Sequence, residues 1–235
     1  MLPPAVADAI DPARIRRALV IKLRHHGDVL LASPVFSVLK RAAPDAEIDA
    51  LVYRETASML AGHPAISMLH TIDRSLKRQG ILAQARGEWR LWQALFARHY
   101  DLVVYLTEHP RGAWLKRLTG ARYGVGPERT GAGGWWRAAF PHRYLLPRAT
   151  LRHTVETNLD ALRRIGLWPE EADKALVLVP GAKPRRAPAR CCRHTDSRAA
   201  LSCSSIRDRD GCSSAGRPRR RRHSSIASRA TAGRW

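Results

Sequence analysis

Residues 19–36, LVIKLRHHGDVLLASPVF, place an apolar run of strand length directly before a glycine–acid pair and an amphipathic segment. This order predicts a strand, a tight turn and a helix. In open α/β sheets, ligands bind where a strand ends and the next helix begins, because backbone amides and the positive end of the helix dipole converge there. Gly27 and Asp28 occupy this turn, so one stretch indicates both a fold class and a place to look for a site.

Strand-like and helix-like segments alternate as far as residue 179. Strands are predicted at residues 18–24, 47–53, 67–72, 101–107, 121–125 and 175–179. Helices are predicted at residues 31–42, 55–64, 83–99, 112–118 and 153–169. The alternation is typical of an α/β fold, a Rossmann-like doubly wound parallel sheet with helices on both faces. Residues 124–134 hold too many glycines for regular structure and form either a mobile loop at a ligand cleft or plain connecting chain.

Aromatic residues recur at helical spacing in the predicted helix 83–99. Trp89, Trp92 and Phe96 form this stripe, with Leu91 and Leu95 beside it. An aromatic platform for a ligand is one interpretation, but such stripes are usually buried helix faces. We therefore expect them to pack in the core.

Charge divides the chain near residue 180. The formal net charge of +21 splits into +9 for residues 1–180 and +12 for residues 181–235. The second part holds only Leu201, Ile206 and Ile226 from the Leu, Ile, Val and Phe set, too few to offset the entropy of ordering. We expect a leader at residues 1–14, one folded domain at residues 15–180 and a disordered basic tail at residues 181–235.

The composition of the tail suggests an origin for it. Residues 181–235 contain 14 Arg, 9 Ala, 9 Ser and all four cysteines of the chain. GC-rich coding DNA yields such residues when it is read out of frame, and the apolar periodicity stops abruptly here. We favour a frameshift near residues 181–190, replacing a further domain, over a basic arm that binds nucleic acid or acidic membrane through residues 216–223. Translating the gene in the other two frames decides between these hypotheses.

Several classes of protein find no support in the sequence. The single Gly27 is not a G-x-G-x-x-G pattern, and no P-loop or G-x-S-x-G string occurs. No apolar run reaches the length of a membrane-spanning helix, and the start of the chain does not resemble a secretory signal. Adjacent His25 and His26 make a poor chelate, so no metal is expected. The absence of cysteine before residue 191 fits a reducing, cytoplasmic location.

Asp28 has two possible roles. As an N-cap it accepts hydrogen bonds from the amides of the first helical turn, and position alone favours this role. As a catalytic base it removes a proton from a bound hydroxyl, which requires an open oxygen. Three cations, Arg74, Lys77 and Arg78, follow the third predicted strand. They form either a solvated turn or, if the loop lies at the same sheet edge, a binding site for an anionic acceptor.

A family resemblance joins these observations. The string RHHGDVLL at residues 24–31, the HP pair at residues 63–64, YDLVVYL and RHTVETNLDALRRIGL resemble the N-terminal half of lipopolysaccharide heptosyltransferases of glycosyltransferase family 9. The first string is most like the heptosyltransferase III branch. The likeness covers residues 16–179.

The resemblance implies a GT-B architecture in which residues 15–180 are the N-terminal, acceptor-side domain. It implies inverting transfer of heptose from ADP-heptose to the lipopolysaccharide inner core, without a metal or another cofactor. Asp28 then corresponds to the catalytic base, beside His25, His26 and Gly27, and Arg74, Lys77 and Arg78 suit an anionic acceptor. The implied location is cytoplasmic, peripheral to the inner membrane, with no specific nucleic acid as partner.

The donor-binding half of such an enzyme has no counterpart in residues 181–235. We therefore expect the 235-residue chain to be inactive in heptosyl transfer. Two alternatives remain open: a half domain that binds acidic glycolipid without chemistry, and a basic protein that associates with nucleic acid through its tail.

Overall fold

The computed structural model describes residues 6–75, 80–146 and 152–180, so Lys77, Arg78 and the predicted tail lie outside the described residues. A parallel sheet of six strands runs through the described part, in the order β3-β2-β1-β4-β5-β6. The strands are β1 (Arg17–Ile21), β2 (Glu47–Tyr53), β3 (Met68–Ile72), β4 (Leu102–Tyr105), β5 (Tyr123–Pro127) and β6 (His142–Tyr144). The fold class predicted from the sequence is confirmed.

Helices cover both faces of this sheet. They are α1 (His26–Leu30), α2 (Ser33–Ala42), α3 (Ile81–Phe96), α4 (Arg111–Thr119), α5 (Gly134–Ala139) and α6 (Thr154–Arg163). Short 3-10 helices occur at Pro12–Arg14, Arg54–Met59 and Ala172–Lys174. None of the helices in the described ranges combines the length and hydrophobicity needed to cross a bilayer.

Alternate side chains of the central strand β1 pack into two separate hydrophobic cores, one on each face of the sheet. Ala18 and Val20 of β1 pack with α2 and α6, whereas Leu19 and Ile21 pack with α3, α4 and α5. All four are buried, as the period of two in a strand covered on both faces requires. Because β2 and β4 flank β1 and the chain crosses between them, the carboxyl end of β1 is the switch point of the sheet.

Glycines in β5 allow helices to approach the sheet closely, so the prediction of irregular structure from residue 124 is wrong for this strand. A Cβ on Gly124 would lie 2.5 Å from the carbonyl oxygen of Ala139, and one on Gly126 would lie 2.8 Å from the Phe140 ring. The irregular segment is confined to residues 128–133, at the carboxyl end of β5. Its role at a ligand cleft stays a prediction.

The prediction of a last strand at residues 175–179 is also wrong. This segment is extended but joins no sheet; the Val177 amide instead donates to Ser33 Oγ on α2 at 3.1 Å. Leu176 and Leu178 remain about half exposed. An apolar run of five residues does not tell a buried strand from a surface segment.

The aromatic stripe on α3 is not a buried face. Trp89 is 62% exposed and Phe96 60% exposed, while Trp92 is half-buried. Leu95 is buried and Leu91 packs against the same core, so the leucines face the sheet in place of the aromatic rings. The expectation of core packing is therefore wrong for Trp89 and Phe96.

Candidate active site

Two hydrogen bonds join the chain at the carboxyl end of β1 to the residues that follow β4. The Leu106 amide donates to the Ile21 carbonyl at 3.0 Å, and the Leu23 amide donates to Thr107 Oγ1 at 3.2 Å. The chain then turns away from the sheet at exposed Arg24, and α1 begins one residue after His25. This places the Gly-Asp pair at the carboxyl edge of the central strand.

Asp28 lies in the first turn of α1 and is not its N-cap. The N-cap is His25, and no side chain caps this helix, so the capping role favoured by position is wrong. Within the described residues no donor hydrogen-bonds or ion-pairs the partly exposed Asp28 carboxylate. Its oxygens are therefore free to accept a proton, which is the requirement for a general base. Its catalytic role stays a prediction.

His26 and Glu55 connect α1 with the 3-10 helix that follows β2. His26 Nε2 lies 2.8 Å from the Glu55 carbonyl oxygen. The His25 side chain and Gly27 are exposed, and a Cβ on Gly27 would meet nothing within 4 Å. No group of three His, Cys, Asp or Glu side chains suited to a metal occurs in the described part of the chain.

Arg74 lies at the same edge of the sheet as Asp28. This meets the condition under which it could bind an anionic acceptor. It follows β3, its Nη1 lies 3.4 Å from Glu55 Oε1, and its guanidinium lies 4.9 Å from the centre of the Tyr53 ring. Glu55 therefore contacts Arg74 through its side chain and His26 through its backbone. Lys77 and Arg78 lie outside the described residues, so their predicted role stays a prediction.

A cleft of about 380 Å³ opens beside Arg74. Its walls come from the ends of β2 and β3, from one side of α3, and from the segment after β4 that carries His109 and Arg111. The two acids in it are neutralised: Asp73 pairs with Arg54 at 2.7 Å, and Glu88 pairs with Arg111 at 3.2 Å. Arg74 and Arg111 also line the cleft, each paired with a carboxylate, Glu55 at 3.4 Å and Glu88 at 3.2 Å. Guanidinium groups are of the kind that bind phosphate or carboxylate.

Lys22 is a buried residue of this region that the sequence reading missed. Its Nζ donates to the Leu106 carbonyl at 3.1 Å and to Asn158 Oδ1 at 2.9 Å, and only 5% of the residue is exposed. Asn158 in turn donates to the carbonyl of Leu31, the residue that ends α1. The two side chains thus join the ends of β1 and β4 to α6 and to the helix that carries Asp28.

Burial lowers the pKa of Lys22 to about 8, since a charged ammonium loses its hydration there. The Asp28 carboxylate opposes this change and raises the pKa, whereas Arg24 lowers it further. The signal in the sequence was a single lysine between Ile21 and Leu23, where strand periodicity places an apolar or paired side chain.

A second buried polar cluster lies on β2, within the sheet. The Asp49 carboxylate is fully buried and accepts hydrogen bonds from Arg98 Nε at 2.9 Å, Arg98 Nη2 at 3.1 Å and the Tyr100 hydroxyl at 2.6 Å. His70 Nε2 lies 3.0 Å from the same hydroxyl. Because these partners satisfy the carboxylate, we assign the cluster to the stability of the fold.

The sheet order, with its crossover at β1, defines a Rossmann-like doubly wound domain. The structure superposes on that of the glycosyl transferase family 9 protein from Veillonella parvula DSM 2008 with a TM-score of 0.57 at 22% identity, covering 72% of this chain and 45% of that one. With E. coli heptosyltransferase WaaC bound to ADP-2-deoxy-2-fluoro heptose, the TM-score is 0.55 at 22% identity, covering 66% and 50%. These likenesses show a shared fold.

Sequence comparison makes the relationship specific. The chain is 36% identical over 149 residues to lipopolysaccharide heptosyltransferase 3 of Escherichia coli strain K12, covering 62% of this chain and 41% of that protein. It is 31% identical over 142 residues to lipopolysaccharide heptosyltransferase 1 of Pseudomonas aeruginosa PAO1, covering 60% and 40%. No family model matches. Lipopolysaccharide heptosyltransferases are thus homologues of this chain, which spans less than half their length, and the predicted resemblance is confirmed.

Proposed function

We propose that residues 15–180 are the acceptor-side domain of a glycosyltransferase that transfers heptose from ADP-heptose to the lipopolysaccharide inner core. The observation that carries the proposal is the free Asp28 carboxylate at the switch point of a chain 36% identical to heptosyltransferase 3. The proposed transfer is inverting and metal-independent, as the resemblance implies. Its setting is cytoplasmic, peripheral to the inner membrane.

In this proposal, Asp28 takes the proton of the attacking acceptor hydroxyl. The hydroxyl oxygen forms a bond to the anomeric carbon of heptose from the face opposite the leaving group, and the bond from that carbon to the diphosphate oxygen breaks, releasing ADP. One carboxylate suffices for such a displacement if both substrates are positioned firmly. Lys22 and Asn158 support the geometry by fixing the end of α1.

The cleft beside Arg74 is the proposed site for the anionic part of the acceptor. Arg74 contacts Glu55 and Tyr53, and Arg111, which is paired with Glu88, also lines the cleft. Guanidinium groups bind phosphate and carboxylate through two parallel hydrogen bonds, which fixes orientation as well as charge. Lys77 and Arg78 follow Arg74 in the sequence and complete the proposed basic set.

Residues 181–235 lack the alternating pattern that a donor-binding domain needs, so we propose that the 235-residue chain binds acceptor without transferring heptose. Incubation with ADP-heptose and a heptose-containing core oligosaccharide tests this directly. We expect oligosaccharide binding that weakens with salt and no transferred heptose. Detectable transfer contradicts the proposed inactivity, and absence of binding contradicts the acceptor-side assignment.

A pair of variants locates the binding. Arg74→Gln should weaken binding of the oligosaccharide by about three- to tenfold, the value of one charge-assisted contact at a surface. Arg14→Gln, in the 3-10 helix before β1, is the matched control and should bind as wild type. If deletion of residues 181–235 abolishes binding instead, the basic tail is the site and the third hypothesis, association with nucleic acid, becomes the better one.

A further inference from the structure

Large apolar side chains form an exposed surface on the helices of one face of the sheet. On α3 they recur every seven residues, at Leu82, Trp89 and Phe96, and seven residues are close to two helical turns. Leu82 is 87% exposed, as is its neighbour Ile81. These residues with Trp114 of α4 and Trp135 of α5 are called the outer aromatic face below. Exposed apolar groups that cluster in this way mark interaction surfaces.

Contacts join the three helices that carry this face. The Trp114 and Trp135 rings lie 4.7 Å apart, centre to centre. Trp114 is three residues beyond Arg111, which joins α4 to α3 by its ion pair with Glu88. The face therefore extends across three neighbouring helices.

Uncompensated positive charge surrounds the same residues. Helices α3, α4 and α5 together carry six Lys and Arg and a single acid, Glu88, which is already paired with Arg111. Arg86, Arg90 and Arg117 are exposed, and no carboxylate of the described residues lies within ion-pair distance of them. Arg117 lies 5.9 Å from the centre of the Trp135 ring.

We infer that the outer aromatic face docks on a lipid bilayer that contains anionic lipids. Tryptophan and phenylalanine rings with arginines beside them match the boundary between acyl chains and headgroups, where rings and aliphatic groups enter and guanidinium groups meet phosphates. Aliphatic Ile81 and Leu82 gain from acyl chains but have no ring to stack on nucleic acid bases. A second copy of the face would oppose arginine with arginine, and residues 181–235 carry +12 themselves.

Docking on this face has a geometric consequence for the cleft beside Arg74. Helix α3 contributes Glu88 and Leu91 to the wall of that cleft and presents Trp89 to the outside. A bilayer in contact with Trp89 therefore lies within one helix diameter of the cleft, about 10 Å. The outer aromatic face would then be the surface through which the protein of the proposed function contacts the membrane. The inference itself depends only on the exposed side chains and not on the proposed function.

Vesicle partitioning of the full 235-residue chain tests the docking surface. The probes are vesicles of phosphatidylglycerol mixed with phosphatidylcholine, at physiological ionic strength, with pure phosphatidylcholine vesicles for comparison. We expect the double variant Leu82→Ser/Trp89→Ser to lower the partition coefficient on the mixed vesicles at least about tenfold. Leu145→Ser, at a largely exposed leucine after β6, is the control and should partition as wild type.

Further measurements separate the alternatives. Arg86→Gln/Arg90→Gln should weaken binding to the mixed vesicles while keeping the weak binding to neutral ones. Unchanged partitioning of Leu82→Ser/Trp89→Ser overturns the inference, because charge in residues 181–235 then suffices. A wild-type dimer in sedimentation that the same variant converts to monomer also overturns it in favour of a second copy. Retained binding of the lipid-free core oligosaccharide by this variant separates bilayer docking from the proposed acceptor site.

Discussion

Lys22 Nζ and Asn158 Oδ1 lie 2.9 Å apart in the interior, joining residues 136 positions apart in the chain. The lysine has no carboxylate within ion-pair distance in the described residues; a carbonyl and an amide oxygen contact it directly, and the Asp28 carboxylate acts on it from farther away. A buried ammonium of this kind makes the stability of the fold depend on pH in an unusual direction.

Stability should rise in alkali because of Lys22. Its folded pKa of about 8 lies below its ordinary value of 10.5, so between these values the unfolded chain binds more protons than the native state. The contribution is fully present above pH 10.5 and is lost as the pH falls through 8. It should amount to about 3 kcal/mol in the free energy of unfolding.

Urea unfolding of wild type and Lys22→Met at a series of pH values between about 7.5 and 10 isolates this effect. The variant has no titrating group at this position, so the difference between the two curves reports Lys22 alone. The free energy of unfolding of wild type should increase relative to that of the variant as the pH rises. Two parallel curves contradict the buried charge.

Asp28→Asn tests the proposed base. In a fusion of residues 1–180 with the C-terminal half of a homologous heptosyltransferase, the change should lower kcat for heptosyl transfer by about 10²- to 10⁴-fold, the usual contribution of a general base. The acceptor KM should change little, since the amide keeps the shape of the carboxylate. Asp45→Asn, an exposed acid in the turn before β2, is the control. Unchanged turnover in Asp28→Asn removes this residue from the mechanism.

Acid should weaken the fold through Asp49. Burial raises the pKa of this carboxyl, but hydrogen bonds from His70, Arg98 and Tyr100 outweigh burial and hold the pKa below the ordinary value of 3.8. A lowered folded pKa gives a contribution that is present above pH 3.8 and is lost as the pH falls through the folded value. At neutral pH, Asp49→Asn should cost about 1–3 kcal/mol, because Arg98 and Tyr100 lose a buried charged acceptor while Arg98 keeps its ion pair with Glu47 at 2.8 Å.

Thermal unfolding at pH 7 and at pH 3 measures this loss. The difference between wild type and Asp49→Asn should narrow at the lower pH. Arg98→Gln should show a similar loss, and the double variant should cost much less than the two single losses together. Additive losses would show that Asp49 and Arg98 act independently.

Gly112→Ala should destabilise the domain by about 1–3 kcal/mol, as overpacking does elsewhere. A Cβ at this position would lie 2.2 Å from Cε1 of Tyr105, whose ring is fixed by a hydrogen bond from its hydroxyl to the His109 carbonyl. Gly134→Ala is the matched control, because it also lies in the first turn of a helix and its Cβ meets nothing within 4 Å. Thermal melts compare the two, and equal melting temperatures would contradict the steric argument.

The fold was predictable where local patterns and tertiary contacts agree. Central strands such as β1 and β4 are apolar on both faces, and α6 has a regular apolar stripe, so each was found from periodicity. The three-residue strand β6 has too few residues to show a period and was missed. Residues 175–179 show the same local pattern as a strand, but they pair with no strand of the described sheet.

The site was predictable only in part, for a related reason. Asp28 stands in a local motif and was placed at the carboxyl edge of the sheet, whereas the sequence left open whether Arg74 lies at the same edge. Lys22 depends on Leu106 and Asn158, which are distant in the sequence, and no local pattern specifies such partners. The exposure of Trp89 likewise depends on how α3 is rotated about its axis. Apolar residues lie on more than one side of this helix, so the sequence does not show which side faces the sheet.

The central position of β1 has a consequence for synthesis of the chain. Its partner on one side, β2, begins 30 residues later, whereas Ala18 pairs with Leu102 of β4 on the other side. During translation at about 5–20 residues per second, one edge of β1 therefore stays open for seconds after the other is paired. An open edge of a largely apolar strand is a template for association with other chains. The interval between β2 and β4 therefore sets how long the nascent chain exposes this unpaired strand edge.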